Sequence, residues 1–556
     1  MLGYVFVIPR LTMKQRLLTV LGIGLPAAAV AAVQLVPTAE LASLSDRIGQ
    51  SWDYATFGSF NPVWFAKLWL PALVGDPRTG TAWIQLGSVY GYVGGLTAVL
   101  ALVGWPSDRT GKFLASAALI SAVLAMGKFT PVFAAVYFAF PGMSFFRVPS
   151  HFLLITGFSL SLLAGRTLEL RSIRLRALPV VIILTLTAAG AVLFIWPSQA
   201  ESLIRTAARM LGERGAAKLE FLGRSGIRSV LTDVSANALA SSAIIVLAIL
   251  FIKRLDRRIA VTAVSLLLFA ELYVYAGRSL ISAPATRVTG IRGSSEGTSA
   301  AGLPDSENKG RLFVDPRVFP NPAAGVFGIP DALAEFAWQT EIMRPNTSVL
   351  NGYHTVGGYA ALPLSSYSAF LRNSGLDGGT KPIRSSALTL AGVSRAIVPA
   401  GTEIEGFTAV KTTGSYRVLV SRNPSGRFWL FRSGEIGSAG ITGILTGSGF
   451  AAATVSTGSA ALLVYTDTYA PGWRVKVDGH DQPVLRFGPF KAVSVAGGSH
   501  TVRFTYDPIS FRAGLIITGA GIAFTAGILI RPLLSFLSRG KRIRRKPDKV
   551  IRDRRR

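Results

Sequence analysis

Several stretches of this chain stay apolar for about 17 to 25 residues, the length that crosses about 30 Å of hydrocarbon as a helix. Candidate spans are 17–36, 86–104, 112–127, 151–166, 177–196, 237–252, 259–277 and 512–531. Basic residues gather where these runs end. Lys14 and Arg16 precede the first, Arg109 and Lys112 lie between the second and third, Arg166 to Arg176 follow the fourth, and Lys253 to Arg258 follow the sixth. After the last run comes RGKRIRRKPDKVIRDRRR. About eight crossings put all these clusters on one side, the cytoplasm, as the excess of Lys and Arg in inner loops requires. Half the residues are hydrophobic and 16% are charged, which fits spans alternating with polar domains.

The charge of +29 does not point to nucleic acid, because the basic residues are spread over span ends instead of one folded module. The basic tail 536–556 reads as a cytoplasmic anchor against anionic lipid. No cysteine is present, which removes disulfides, thiolate nucleophiles and cysteine metal sites. The four histidines are scattered, and no compact metal site is visible. The first residues, MLGYVFVIPR, lack the charged segment and cleavage site of a signal peptide and read as the tail of a hydrophobic helix.

The alternation leaves the loops 38–85, 141–150 and 197–236 outside, although the last carries six basic residues against the rule. Residues 129–140 are apolar but short and Pro-flanked, suiting a re-entrant or interfacial helix. Between the last two spans lies a large extracytoplasmic region. A Gly/Ser-rich linker covers 281–310, a mixed α/β region 311–412 and a β-sandwich 413–510, before the span 511–535. RLFVDP and SRAIVPAG read as short buried strands and DALAEFAWQTEIM as a helix. In YTDTYAPGWRVKVDGHDQPV, Trp473, Val475 and Val477 share one face of a strand, and Asp478-Gly479 predicts a tight hairpin. Val502, Phe504 and Tyr506 repeat the pattern.

The segments YTDTYAPGWRVKVDG and FGPFKAVSVAGGSHTVRFTYDPISFRAG resemble the C-terminal signature of YfhO-like bacterial membrane proteins. FFRVPSHFLLITGFSLSLLAG looks like that family's arginine-proline motif, and AAVQLVPTAEL, RPNTSVLNGYHTVGGYAALPLSSY and LAGVSRAIVPAG also fit. The resemblance implies the GT-C architecture of integral membrane glycosyltransferases, which move a sugar from a polyprenyl-phosphate donor to an acceptor outside the cytoplasm. The expected role is glycosylation of a cell-envelope glycopolymer at the bacterial plasma (inner) membrane, with the lipid bilayer and the donor lipid as partners and no nucleic acid. No cofactor is implied beyond the donor substrate, and a divalent metal stays open. The chain is expected to start after the family's first spans, without the loop that bears the GT-C carboxylate. His151 stands where the family commonly has Lys or Arg.

Such chemistry needs a carboxylate for the acceptor hydroxyl and cations for the leaving phosphate. The outer loop offers Glu40, Asp46 and Asp53 as catalytic carboxylates, each of which also suits a solvated loop. Arg147 and His151 in the turn FFRVPSHF, with Lys128 before it, are donor-phosphate candidates, and interfacial anchoring is their alternative role. Trp52, Tyr54, Phe57, Phe60, Trp64 and Trp69 suit sugar stacking or an interfacial belt. Arg344, Asn346, Asn351, His354 and Tyr359 are sugar or acceptor candidates, or else turn chemistry. GIGLPA fits a dinucleotide fingerprint but lies inside a span, and GSSEG fits a hydrolase elbow but lies in a linker. Two further readings remain, a non-catalytic sugar-binding or assembly subunit and a transporter. The second is disfavoured because Glu271, near a span end, is almost alone among the spans as an ionisable residue.

Overall fold

The computed structural model describes residues 5, 11–47, 51–62, 65, 92–103, 108–140, 142–169, 177–210, 213–279, 310–318, 354–358, 360, 362–412 and 416–543. Among these, four helical stretches are long and apolar enough to cross a membrane: Pro149–Leu168, Ile227–Arg254, Arg257–Tyr275 and Ile509–Ile528. A fifth arises if Met13–Val30 and Ala32–Leu44, bent by 75° at their junction, form one broken span. Helices also stand at Gly95–Val103, Arg109–Ala125 and Ala177–Ile195, within or across the other expected runs. The short apolar segment is the nine-residue helix Pro131–Ala139, started by Pro131 and capped by the Thr130 hydroxyl on Val132 N–H.

The stretch 197–236, expected as a loop, is helical. Pro197–Met210 is one helix, and Glu213–Arg254 runs for 42 residues through the sixth apolar run. Its charges pair along and between the helices: Glu201 accepts from Arg205 one turn on at 2.8 Å and from Arg228 at 3.4 Å.

The break at Ala31 frees backbone groups that lipid cannot satisfy. Thr518 of the last helix, Ile509–Ile543, supplies the partner: its hydroxyl accepts from Val33 N–H at 2.9 Å and lies 3.2 Å from Val30 O. Gly514 and Gly521 flank it, and a Cβ on Gly514 would sit 2.6 Å from Ala32 O. Small residues thus let the two backbones touch. Glu271 plays a comparable part for Gly95–Val103. Its buried carboxylate accepts from Gly95 N–H and Tyr92 O–H, both at 2.8 Å, and caps the helix from outside.

The β-rich part contains three sheets among the described residues. β1 (Arg311–Val314), β2 (Val393–Pro399), β3 (Phe407–Thr412) and β4 (Tyr416–Ser421) form a mixed sheet in the order β1-β2-β4-β3, with β1 and β2 parallel. The strand 416–421, assigned to the sandwich on sequence, therefore belongs to this sheet.

The sandwich starts at β5 (Phe428–Arg432), followed by β6 (Glu435–Gly437), β7 (Ile441–Gly447), β8 (Phe450–Thr457), β9 (Ala461–Thr468), β10 (Trp473–Val477), β11 (His480–Gln482), β12 (Leu485–Phe487), β13 (Phe490–Val495) and β14 (Gly498–Tyr506). These make two five-stranded sheets, β11-β10-β14-β8-β7 and β12-β13-β9-β5-β6. Phe428, Leu430, Leu463 and Tyr465 face Val475, Val502 and Phe504 across the sandwich. The alternate residues Trp429 and Val464 face the other way, onto Phe313, Leu388 and Val393 of the α/β unit. One sheet is thus buried on both faces, which explains the unbroken apolar runs FWLF and ALLVY. The hairpin at Asp478-Gly479 has φ of +50° and +82°, the doubly left-handed turn that Asp-Gly favours.

The β-rich unit is tied to the helical part by several hydrogen bonds among the described residues. Asp46 N–H donates to Pro363 O at 3.2 Å and Ser365 Oγ donates to Leu44 O at 2.7 Å. Ser510, at the start of the last helix, donates to the Glu40 carboxylate.

Candidate functional site

The first candidate lies where the outer loop meets the turn 142–152. The loop is pinned to the end of helix Arg109–Ala125: Phe60 N–H donates to Ala125 O at 2.9 Å, and Lys128 N–H to Ser59 Oγ at 3.0 Å. Gly127 has φ +53°, and a Cβ there would fall 2.1 Å from Ser59 Oγ, so only glycine permits this approach. Within the loop, Ser51 caps the short helix Trp52–Ala55. Trp52 stacks on Phe138, with centroids 6.1 Å apart, and meets Tyr137 edge-on at 5.2 Å. The short helix therefore sits on the helix Pro131–Ala139.

Arg147 is cradled by this loop. Its guanidinium lies 4.4 Å from the Phe57 ring centroid and 5.4 Å from that of Tyr54. Val148 beside it has φ +68°, an outlier for a β-branched residue. Its side chain packs against Gly58, where a Cβ would approach within 3.0 Å. Strain of this kind persists only where surrounding contacts enforce it, and it clusters at functional sites. Lys128 and His151 are both exposed, Lys128 lying over the Phe129 ring at 5.6 Å and His151 in the 3-10 turn Pro149–Phe152.

The structure sorts the three loop carboxylates. Glu40 accepts from Ser510, and Asp46 lies 3.6 Å from Arg372 of the β-rich unit. Asp46 thus ties the two parts of the molecule together, whereas Glu40 joins the helix Ala32–Leu44 to the start of the last helix. Asp53 is exposed beside Tyr54, in the loop that cradles Arg147, and has no ion pair among the described residues. Of the sugar or acceptor candidates, Arg344, Asn346, Asn351 and Tyr359 lie outside the described residues, as do Trp64 and Trp69. No group of three or more His, Asp or Glu side chains that could hold a metal occurs among the described residues.

His354 belongs to a second polar centre, which sequence reasoning missed. It joins the start of β1, the segment before β5 and the ends of β9 and β13. Asp467 accepts from Arg311 at 2.5 Å, from Arg427 at 3.1 Å and from the Tyr465 hydroxyl at 2.6 Å. Arg427 also reaches Tyr465 Oη at 2.7 Å and His354 Nε2 at 3.0 Å. The β9–β13 register shifts between Phe490 and Lys491, skipping Thr466 and Asp467, and such bulges re-aim side chains. Lys491 there is fully buried, with its ammonium 3.4 Å from the Trp473 ring centroid and 4.7 Å from that of Tyr465.

The charges respond to one another. Burial opposes ionisation of Asp467, but Arg311, Arg427 and Lys491 outweigh it and hold the carboxyl down at about 2. Burial pushes Lys491 down to about 7 despite the pull of Asp467, with both arginines adding to the effect. Burial, then the charges of Arg427 and Arg311, lower His354, so its Nε2 accepts from the guanidinium. Tyr465 is raised by burial and by Asp467.

The apolar helices and the sandwich define a membrane protein with a β-rich domain. Residues 446–518 match the family model described as bacterial membrane protein YfhO, and the chain is YfhO-like over that stretch. The match runs from β7 into the last helix and includes Tyr465, Asp467, Trp473 and Lys491. No curated protein and no solved structure shows a match to the chain.

Proposed function

We propose that this membrane protein transfers a sugar from a polyprenyl-phosphate donor to a glycopolymer of the cell envelope, outside the plasma membrane. In this reading the chain crosses the bilayer about eight times, with its basic tail in the cytoplasm. The observation that carries the proposal is the Arg147 cradle, with a carboxylate, Asp53, that has no ion pair among the described residues, on the same short helix as Tyr54. Arg147 is suited to the donor phosphate because a guanidinium offers two parallel donors to an oxyanion. Phe57, Tyr54 and the strained Val148 fix its position, so little reorganisation is needed when the phosphate leaves.

The step balances without a further reactant. The acceptor hydroxyl oxygen bonds to the anomeric carbon as the bond from that carbon to the phosphate oxygen breaks. The hydroxyl proton passes to Asp53, and the lipid phosphate departs against Arg147. Lys128 and His151, near the same rim, add positive charge or hydrogen bonds to the lipid headgroup.

The test uses the full chain in lipid nanodiscs with radiolabelled polyprenyl-phosphate sugars and envelope-polymer acceptors. Asp53→Asn should lower kcat by about 10²-fold or more, the usual worth of a general base, with donor KM little changed. Arg147→Ala should raise donor KM, and Arg147→Lys should restore part of the loss. Full transfer by Asp53→Asn would refute the assignment of the base. Polymer binding without any transfer would favour a sugar-binding assembly subunit instead.

A further inference from the structure

We infer that the helix Pro131–Ala139, with Phe140 and Phe146 after it, is a wedge that sits in the lipid of one membrane leaflet, bordered by Lys128 and Arg147 at the depth of the lipid phosphates. The inference goes beyond the transfer reading and holds whether or not the chain transfers sugar.

Between Lys128 and Arg147 the sequence has no charged residue. The helix within this stretch rises about 13.5 Å, less than half of the roughly 30 Å of hydrocarbon, so it does not cross. It also begins and ends on one side. The helices before and after it, Arg109–Ala125 and Leu153–Glu169, lie side by side there, with Ser121 Oγ 2.8 Å from Thr156 Oγ1. One face of the wedge is covered: Phe133 is buried, and the Trp52 ring of the outer loop lies 6.0 Å from it. The other face is bare among the described residues. Phe138 is 78% exposed, Phe140 69% and Phe146 68%, with Val132 at 45%. Large apolar side chains exposed together mark a surface that another apolar phase covers.

The backbone points the same way. Hydrocarbon tolerates a segment that does not span only where its polar groups find partners within the protein. Lys128 N–H donates to Ser59 Oγ at 3.0 Å, and Phe129 and Thr130 N–H donate to Met126 O and Gly127 O, both at 3.1 Å. Pro131 has no N–H, and Val132 N–H is taken by the Thr130 hydroxyl at 3.3 Å. Past the helix, Phe140, Met143 and Phe146 N–H donate to Val136 O, Phe140 O and Met143 O at 2.9, 3.2 and 3.1 Å. A turn in water does not need this closure, whereas one in lipid does. The cations stand where the apolar stretch stops. Lys128 lies over the Phe129 ring and Arg147 over the Phe57 ring, so their stems lie along apolar surface while their heads reach the phosphates. Hydrocarbon against the phenylalanines and phosphate against the cations is the pairing that a phospholipid leaflet offers and that a second copy of this face does not.

The chain has no cysteine, so single cysteines can be placed in it without removing a native thiol. Phe138→Cys, Phe140→Cys and Phe146→Cys should be nitroxide-labelled in the full chain, in nanodiscs of phosphatidylglycerol and phosphatidylcholine. Electron paramagnetic resonance then reads each label's collisions with oxygen, which concentrates in lipid, and with a nickel chelate, which stays in water. Ile516→Cys, at an exposed position of the last helix, is the lipid reference, and Asp481→Cys in β11 is the water reference. Oxygen collisions at 138 and 140 should exceed chelate collisions severalfold, as at 516, and a label in Lys128→Cys should fall between the two references. If the label at 138 disturbs the stack of Trp52 on Phe138, the label at 140 carries the reading, because Phe140 makes no ring contact among the described residues. Chelate collisions at 138 and 140 as frequent as at 481 would overturn the proposal by placing the wedge in water. Few collisions with either reagent would overturn it as well, because protein would then cover this face. Sugar transfer has its own assay, so failure of either reading leaves the other standing.

Discussion

Replacing Lys491 with Met should change how the stability of the β-rich unit depends on pH. The lysine is completely buried, and its pKa is pushed down to about 7. In the unfolded chain it returns to about 10.4. Between these values the unfolded chain binds a proton that the folded one does not, so folding becomes more favourable as pH rises. At 1.36 kcal/mol per unit, and with the folded group half-protonated at its own pKa, the gain from about pH 7 to about pH 9 is roughly 2 kcal/mol. The other perturbed groups of the centre stay out of this window. Asp467 titrates near 2, His354 is shifted down, and Tyr465 is shifted up. Met fills the space between Trp473 and Tyr465 without a charge and favours aromatic neighbours. Lys491→Met should therefore be the more stable protein near neutrality, with the advantage shrinking toward pH 9. Urea-induced opening of the full chain in nanodiscs, read by pulse proteolysis of the sandwich, measures this directly. A parent protein with no rise over that range, or a Met variant with the same rise, would refute the account of a partly neutral buried lysine.

Two further substitutions test how the scaffold is held. Gly392 has φ +71°, and a Cβ there would lie 2.1 Å from Gly426 O, so Gly392→Val should cost roughly 3 kcal/mol or more and expose the α/β unit to protease. Glu271→Ala should lower the thermal unfolding midpoint in detergent, because Tyr92 O–H and Gly95 N–H would each lose an acceptor at about 1–3 kcal/mol apiece, with Glu271→Gln milder.

Sequence periodicity carried the sandwich because each strand shows its own pattern. Trp473, Val475 and Val477 pack inward as their spacing requires, and the Asp478-Gly479 turn has the φ values that glycine makes cheap. Periodicity says nothing about which sheet a strand joins. Residues 416–421 look like the later strands but pair with Val393–Pro399, because the α/β unit needs them to complete its sheet. The segment 197–236 reads as an outer loop because it falls between two apolar runs, whereas it is helical, and Glu201 with Arg205 and Arg228 is the pairing that a polar helix face uses.

The polar centre was illegible because its parts are far apart in the chain and individually ordinary. Arg311 and Asp467 are 156 residues apart and adjacent only because β1 and β9 meet through the doubly buried sheet. The bulge at Lys491 leaves no mark in composition, and an isolated lysine in FKAVSV reads as a solvent-facing position. Burial turns it into the opposite. The same sheet that made FWLF look like continuous core brings Arg427, the residue immediately before it, against Tyr465 and Asp467. An apolar sheet covered on both faces can place charge only at its ends, and there the charges must meet one another. The position of this centre follows from that constraint, and the ties through Asp46 and Ser365 hold the unit carrying it against the helical part.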